Sequence, residues 1–347
     1  MFKTAARESP FMLITRLVVL LLCFIFSNPS VGSEIVNVYT YRKPQLIKPL
    51  FNVFTRNTGI EVNSVFAKKG MLEKIVSEGR NSPADLILTV DIGRLTDLKN
   101  AGVTQPIDSV AIKKNIPSNF RDPDGHWFGL TSRARIIVSS KTRVKIGAIK
   151  SYEDLISNEW KGRICTRSGK HPYMTALIAS VIAASGESEA QNWLSSLKKN
   201  LARKPQGNDR AQVRAIYEGQ CDVAIINHYY MAKMLADPEQ KNWTSAINII
   251  FPNQDDRGTH MNVSGAAIAK FAPNKKNAEK LLEFLASLEG QQIYGSKNGE
   301  YPVSRGVPRS DLLISWGDFK QDSLSLVDVA SYRKKAIMLA DRVGYND

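Results

Sequence analysis

The sequence predicts an α/β protein of two lobes, with mixed, mainly parallel sheets and a hinged cleft between the lobes. Three observations support this fold class. At 347 residues, the chain is longer than one ordinary hydrophobic core holds. Short apolar strand candidates alternate with amphipathic helix candidates in both halves of the chain, an order typical of parallel sheets. Two polar stretches, residues 131–135 and 262–265, lead directly into strands and divide the chain into blocks.

The N-terminus has the three-part layout of a secretory signal peptide. Basic residues between positions 3 and 16 precede an apolar run at residues 17–26, and small residues end at Gly32. This run is too short to span a bilayer, and no other stretch reaches the roughly 18 apolar residues that a transmembrane helix needs. We therefore expect residues 1–32 to be cleaved off near Gly32 and the mature protein to be exported without stable membrane insertion.

The composition is strongly basic, with 47 Lys and Arg against 33 Asp and Glu and a formal net charge of +14. Such a balance can indicate binding to nucleic acid. However, the basic residues are scattered, without a basic run or an interleaved aromatic platform. We therefore predict no nucleic-acid partner and a cationic surface that attracts anions or acidic partners.

Cys165 and Cys221 remain after removal of the predicted signal peptide. In an oxidising compartment, an isolated pair of cysteines is usually bridged. Both are assigned to predicted strands, so we predict a Cys165–Cys221 disulfide that ties those two strands together. Two buried free thiols are the alternative, and the mass change on reduction distinguishes the two.

Apolar runs and their period predict the individual elements. Strands are predicted at residues 35–39, 62–66, 85–90, 135–139, 164–166, 222–226, 247–251 and 265–269. Helices are predicted at residues 46–56, 71–78, 92–100, 174–185, 189–199, 211–218, 231–236 and 278–288. Several of these helices stop just before a glycine, which suits the left-handed backbone at a helix C-terminus.

The two polar stretches are interpreted as hinge crossings. A chain that leaves one lobe, builds a second lobe and returns forms a cleft that hinge closure can shut on a ligand. The predicted division is residues 33–132 with 264–309 as lobe one, residues 133–263 as lobe two, and residues 310–347 as C-terminal helices that brace the lobes.

Polar and aromatic residues follow four of the predicted strands. They lie at residues 39–42, 89–91, 168–173 and 227–230. In open α/β sheets, ligands bind beyond the carboxyl ends of the strands, where loops lead into helix N-termini. We therefore expect all four stretches to face one cleft.

Tyr173, Tyr229 and Tyr230 are the most unusual residues at these strand ends. One of two consecutive aromatic residues at a strand-to-helix turn must face away from the core, so three phenols can converge. Three phenolates are hard oxygen donors whose charge balances a trivalent cation, which suits ferric iron. A phenol with a pKa near 10 loses its proton at neutral pH only to a strong Lewis acid, helped by helix N-termini. Packing or a sugar-binding surface is the alternative.

Arginines and histidines accompany the tyrosines. Arg42 and Arg133 lie at a strand end and at a predicted hinge, where guanidinium groups can bind an anion through two bonds. An ion pair between the lobes, with Asp91 as a candidate partner, is equally compatible with the sequence. His171 and His228 can complete a zinc site with a carboxylate, but no zinc-binding spacing supports one.

No nucleophile-elbow, phosphate-loop or dinucleotide-binding motif is present, and we predict that the protein is not an enzyme. An acid–base pair of Asp91 with a tyrosine has no further support. A metal-dependent hydrolase is therefore only a remote alternative.

Seven parts of the sequence match landmarks of a known family. They are residues 38–42 (VYTYR), 82–91 (SPADLILTVD), 127–135 (WFGLTSRAR), 165–170 (CTRSGK), 201–207 (LARKPQG), 229–230 (YY) and 300–303 (EYPV). Together they are highly specific, and essentially all of residues 34–345 resembles the periplasmic ferric-ion-binding proteins, which capture iron for ABC importers. The resemblance implies a two-lobe, transferrin-like solute-binding fold.

The resemblance also implies a ligand set. The tyrosines that coordinate iron in the family fall on Tyr173, Tyr229 and Tyr230. Some members add a histidine, or a histidine and a tyrosine, just after the first strand, where this chain has Lys43 and Pro44.

Because that protein ligand is missing, the resemblance implies a synergistic anion, carbonate or bicarbonate, that completes the coordination of Fe(III). Arg42 and Arg133 match the arginines associated with this anion. Tyr41 and Asp91 are candidates for supporting contacts behind the ligands.

The resemblance further implies a monomer in the periplasm that delivers iron to the permease of an inner-membrane ABC importer. The alternative within the same architecture is a binding protein for a small organic or phosphorylated nutrient. In that case the tyrosines would stack on the nutrient and the arginines would hold its acidic group.

Overall fold

The computed structural model of the chain describes residues 34–304 and 306–347. The predicted signal peptide therefore lies outside the described residues. The strands are β1 Ile35–Thr40, β2 Glu61–Phe66, β3 Leu86–Thr89, β4 Thr104–Gln105, β5 Phe128–Ser140, β6 Ile164–Cys165, β7 Val223–Asn227, β8 Ile247–Ile250, β9 Met261–Ala269 and β10 Tyr301–Pro302.

The α-helices of the described residues are numbered in chain order. They are α1 Pro44–Thr58, α2 Met71–Glu78, α3 Ile92–Asn100, α4 Val110–Asn115, α5 Pro172–Lys199, α6 Asp209–Tyr217, α7 Tyr229–Leu235, α8 Lys241–Ser245, α9 Lys275–Ala286, α10 Leu288–Asn298, α11 Asp311–Ser315, α12 Leu326–Ser331 and α13 Arg333–Arg342.

The main strands form one continuous mixed sheet in the order β2-β1-β3-β9-β5-β7-β6. Parallel pairing joins β2, β1 and β3 at one end of this order and β7 and β6 at the other. The long strands β5 and β9 run antiparallel to their neighbours and to each other. The predicted α/β class with mixed strands is confirmed, although these crossing strands make antiparallel pairs the more numerous kind.

The two predicted hinge stretches lie inside strands β5 and β9. Residues 131–135 form the middle of β5, which pairs with β9 over its first part and with β7 over its second part. Residues 262–265 lie within β9. The chain therefore passes between the two ends of the sheet through continuous strands, and the polar side chains of these stretches are buried among tertiary partners.

Helix α1 shows how the sequence builds the first lobe. Pro44 occupies its first position, and Ile47, Leu50 and Phe54 form its buried face against β1 and β3. The helix ends at Gly59, whose φ of 75° is the left-handed backbone that favours glycine. A separate apolar cluster around Trp160, Trp193 and Ile225 forms the core of the second lobe.

Helix α5 is interrupted at Gly186, where φ is 84° and the backbone is not helical. The predicted pair of helices at residues 174–185 and 189–199 is therefore found as two helical segments that meet at this glycine. The C-terminal helix α12 contacts both α3 and α5, and α13 packs along α5. The exact division into lobes and bracing helices stays a prediction.

The predicted disulfide is present between Cys165 and Cys221, whose Cα atoms are 5.9 Å apart. Cys165 ends β6, and Cys221 lies just ahead of β7 rather than inside it. The bridge therefore joins the two segments that lead to Tyr173 and to Tyr229.

Candidate metal centre at the strand ends

A cavity of about 520 Å³ opens at the carboxyl ends of the strands. Residues from all four predicted strand ends line it, so the expectation of one shared cleft is confirmed. The described residues that line it are Tyr41, Arg42, Lys43, Gln45, Leu46, Val90, Arg133, Tyr173, Asn208, Arg210, Tyr229, Tyr230, Lys233, Ala236, Lys297 and Glu300.

The starts of two helices place the three tyrosines. His171 is the N-cap of α5, and its Nδ1 accepts a hydrogen bond from the backbone N–H of Tyr173 at 3.2 Å. Pro172 occupies the first helical position, for which its fixed φ is suited, and Tyr173 follows it in the first turn. Tyr229 and Tyr230 begin α7 directly after β7. Both segments therefore deliver their phenols from helix N-termini, where negative charge is stabilised.

The three phenol rings meet in the cavity. The hydroxyl oxygens of Tyr173 and Tyr229 lie 3.2 Å apart. The rings of Tyr229 and Tyr230 are stacked, with their centroids 4.4 Å apart. Burial, followed by the neighbouring phenols, raises the pKa of Tyr229 well above its usual value. Tyr229 therefore keeps its proton at neutral pH unless a strong Lewis acid removes it.

Cationic side chains surround these rings. The Arg133 guanidinium lies 5.5 Å from the centroid of the Tyr229 ring and 5.9 Å from that of Tyr173. The Lys233 Nζ lies 4.8 Å from the Tyr229 centroid, and burial lowers the pKa of Lys233 to about 8. Arg210 lies 6.0 Å from the Tyr230 centroid. Positive charge next to the rings stabilises any negative charge that develops on the phenol oxygens.

Arg42 is engaged by a carboxylate that the residue-by-residue reasoning missed. Its Nη1 and Nη2 donate to Oε1 and Oε2 of Glu300 at 3.1 and 2.9 Å, and both residues are buried. Thr131 also donates to Glu300. Burial acts to raise the pKa of Glu300, but Arg42 and Arg133 outweigh it and lower that pKa. The signal was available only as part of the family stretch at residues 300–303.

Arg133 lies beside this pair rather than against Asp91. Its Nη2 is 3.8 Å from Glu300 and donates to Ser264, and its Nη1 donates to the carbonyl oxygen of Val90 at 2.8 Å. The ion pair that the sequence allowed for the arginines is therefore present, with Glu300 as the partner instead of Asp91.

The two residues expected behind the ligands differ in position. Tyr41 lines the cavity, and its hydroxyl accepts the backbone N–H of Leu72 at 3.3 Å. Asp91 does not line the cavity and is buried as the N-cap of α3, where it accepts a hydrogen bond from Asn262 Nδ2 at 2.9 Å. Asp91 is therefore placed for helix capping and for contact with strand β9.

The two histidines beside the tyrosines have backbone partners. His228 is buried, and its Nδ1 accepts the backbone N–H of Ala134 at 3.0 Å. Burial lowers the pKa of His171 to about 3 and that of His228 to about 4. Within the described residues, no group of three His, Cys, Asp or Glu side chains is placed to hold a metal ion. The zinc alternative therefore has no ligand set in the described part of the chain.

The chain is similar to a known family and to a known iron uptake protein. The family described as bacterial extracellular solute-binding protein matches residues 81–318. Iron uptake protein A1 of Synechocystis sp. (strain ATCC 27184 / PCC 6803 / Kazusa) is 41% identical over 324 residues, which cover 92% of this chain and 90% of that protein. The chain belongs to the family of bacterial extracellular solute-binding proteins.

The chain is also similar to solved structures of ferric ion-binding proteins. The apo ferric ion-binding protein A of Pasteurella haemolytica is 48% identical, with a TM-score of 0.87 and coverage of 90% of this chain and 99% of that one. A Trichodesmium protein in complex with iron and citrate ligands is 42% identical, with a TM-score of 0.86 and the same coverage. The two-lobe fold expected from the sequence is therefore confirmed.

The localisation typical of the family is extracellular or periplasmic. Across residues 34–304 and 306–347, no helix has both the length and the apolar character needed to cross a membrane.

Proposed function

We propose that this protein captures ferric ion in the periplasm through Tyr173, Tyr229 and Tyr230 and delivers it to an inner-membrane ABC importer. The observation that carries the proposal is the convergence of three phenols at one cavity, with the Tyr173 and Tyr229 oxygens 3.2 Å apart. The names of its relatives support the choice of metal, since they are an iron uptake protein and a ferric ion-binding protein.

The chemistry of this cluster favours a trivalent hard cation. Three phenolate oxygens carry a combined charge that neutralises Fe(III), and hard oxygen donors match it better than they match softer metals. Because a phenol in water keeps its proton at neutral pH, metal binding to the tyrosines releases protons, and iron release is coupled to their return. The tyrosines therefore act as ligands for a transported ion and not as catalytic groups, so we propose no enzyme activity.

An anion completes the coordination of the metal in this proposal. Of the described residues that line the cavity, six are cationic and one, Glu300, is anionic. This excess of positive charge favours carbonate or bicarbonate beside the metal. Lys43 and Pro44 occupy the place where some relatives supply a protein ligand, so the anion fills that role.

Arg42 and Arg133 hold the anion in this proposal, and Arg133 contributes most. Arg133 already contacts two of the tyrosine rings, whereas both terminal nitrogens of Arg42 are bonded to Glu300. Arg42 also lines the cavity, but part of its donor capacity is taken by Glu300. Arg133 therefore makes the sharper target for mutation.

Metal analysis and a visible spectrum of the purified mature protein test the proposal. We expect bound iron and a red to orange band from charge transfer between phenolate and Fe(III), stronger in the presence of bicarbonate. A colourless protein without iron affinity would refute it. Calorimetry against small organic and phosphorylated compounds, with iron excluded, identifies a nutrient-binding protein if one of them binds instead.

A further inference from the structure

A buried group of charges lies behind the tyrosines, and the proposed function gives it no role. Asp209, the first residue of α6, has no solvent exposure. Its Oδ1 accepts hydrogen bonds from Arg135 Nη1 at 2.6 Å and from the backbone N–H of Asn227 at 3.2 Å. Its Oδ2 accepts a hydrogen bond from Arg167. One carboxylate therefore joins two guanidinium groups and a strand end.

Asp209 connects the two segments that carry the tyrosines. Arg167 lies two residues after Cys165 at the end of β6, on the segment that leads to Tyr173. Asn227 ends β7, and Tyr229 begins α7 two residues later. The disulfide joins these segments at one end, and Asp209 joins them again next to the cavity.

Arg167 places a buried positive charge against Tyr173. Its guanidinium carbon lies 5.3 Å from the centroid of the Tyr173 ring, and 7% of the residue is exposed. A cation near an aromatic ring is attracted to its face, and the attraction becomes one between opposite charges once the phenol is ionised. A long arginine side chain adopts one such position only where its hydrogen bonds are fixed, and Asp209 fixes them here.

Removing Asp209 leaves the buried Arg167 and Arg135 without their carboxylate partner. A buried guanidinium that loses its carboxylate is strongly destabilised and tends to move toward solvent or another acceptor. Burial acts to raise the pKa of Asp209, but Arg135 and Arg167 outweigh it and lower that pKa. Asp209 is therefore ionised throughout the neutral range and holds Arg167 continuously.

We propose that Asp209 and Arg167 are positioning residues of the tyrosine site, where Asp209 holds Arg167 against Tyr173 and Arg167 stabilises the charge on the metal-bound phenolates. This inference rests on the proposed capture of ferric ion by the tyrosines. It predicts effects on the spectrum and release of bound iron, which an ion pair that only stabilises the fold would not produce.

The test uses the mature protein loaded with ferric iron and bicarbonate. In Arg167→Gln, the charge-transfer band should move to longer wavelength, because the loss of a nearby positive charge raises the energy of the phenolate electrons. Loss of a contact behind a metal ligand typically costs about 10- to 100-fold in metal affinity, so the rate of iron loss to a competing chelator should rise by up to that factor. Asp209→Asn should change both quantities in the same direction.

Arg167→Met is a second variant for the case that Arg167→Gln does not fold. Its apolar side chain has a similar length and replaces a buried cation at a small cost in stability, and Asp209 keeps its pair with Arg135. Arg257→Gln is the matched control, since it breaks a largely buried ion pair with Asp322 at 2.8 Å and neither residue lines the tyrosine cavity. It should leave the band and the rate of iron loss unchanged.

An unchanged band and an unchanged rate of iron loss in any of these Arg167 or Asp209 variants that folds would overturn the proposal. A wild-type protein that shows no band at all would instead refute the proposed function. The two failures are therefore separable in one set of spectra.

Discussion

The phenol oxygens of Tyr173 and Tyr229 lie 3.2 Å apart, although the two residues are 56 positions apart in the chain. The Cys165–Cys221 disulfide spans the same sequence separation of 56 residues and joins the same two segments. The pair of tyrosines is therefore held in place by covalent structure as well as by packing.

Replacing Tyr229 by Phe should reduce the charge-transfer band and weaken iron binding. The change removes one of the proposed oxygen donors while keeping the ring that stacks on Tyr230. Visible titration of the apo protein with a ferric salt measures both effects. Tyr217→Phe is the matched control, because Tyr217 is half exposed at the end of α6 and does not line the cavity. Equal iron affinity in the two variants would contradict the ligand assignment.

Replacing Arg133 by Ala should weaken iron binding more in the presence of bicarbonate than in its absence. The reason is that Arg133 is the proposed anion contact closest to the tyrosine rings. Competition against a chelator at several bicarbonate concentrations measures the effect. Arg214→Ala is the control, since Arg214 pairs with Glu218 on the exposed surface of α6.

A uniform loss of affinity in Arg133→Ala, independent of bicarbonate, would refute the anion half of the proposal. This result would not contradict the assignment of the tyrosines as ligands. The same result would give Arg133 a role only in orienting the tyrosines.

Removing the disulfide by a double substitution, Cys165→Ser with Cys221→Ser, should lower the free energy of unfolding. For a loop of 56 residues, the chain-entropy model gives a loss of about 4 kcal/mol. Urea unfolding of the apo protein measures it, with chemical reduction of the wild type as an independent check. Unfolding midpoints that coincide in all three samples would show that the bridge does not stabilise the native state.

The position of the tyrosines in the cavity could be predicted because ligands bind beyond the carboxyl ends of strands. The tyrosines follow strands of one sheet, and carboxyl ends of parallel strands meet at one edge. The partner of Arg42 could not be predicted in this way. Glu300 is 258 positions away, and its stretch begins a two-residue strand with no periodic signal. The role of Asp209 could not be predicted either, because its local sequence shows only an acidic residue in the first turn of a helix.

The interiors of β5 and β9 show a second limit of local patterns. Their polar residues indicated crossings between the lobes, and the structure shows continuous strands there that pair with both ends of the sheet. Thr131, Arg133 and Arg135 are buried in β5, where they donate hydrogen bonds to Glu300, Ser264 and Asp209, respectively. Such partners come from distant parts of the chain, so polarity alone predicts an exposed loop where the fold has a buried strand.

His260, next to strand β9, should make the free energy of unfolding depend on pH. It is buried, and burial followed by Arg257 and Arg135 lowers its pKa to about 3. Among the described residues its Nε2 has no hydrogen-bond partner, and it lines a small cavity with Asp322. In the unfolded chain its pKa is about 6.5. The stability that the neutral His260 contributes to the folded state is therefore fully present above pH 6.5. It is lost progressively as the pH falls from 6.5 toward 3, because only the unfolded chain binds the proton in this range.

The variant His260→Gln measures this contribution as a difference from the wild type. The gap in unfolding free energy between the two should shrink by about 1.4 kcal/mol per pH unit as the pH falls from 6 to 4, because one proton binds only the unfolded wild type. Thr259→Val, at the neighbouring buried residue, removes a hydrogen bond to Pro252 but no titrating group, so its gap should stay constant. A constant gap for His260→Gln as well would show that His260 takes up its proton without unfolding.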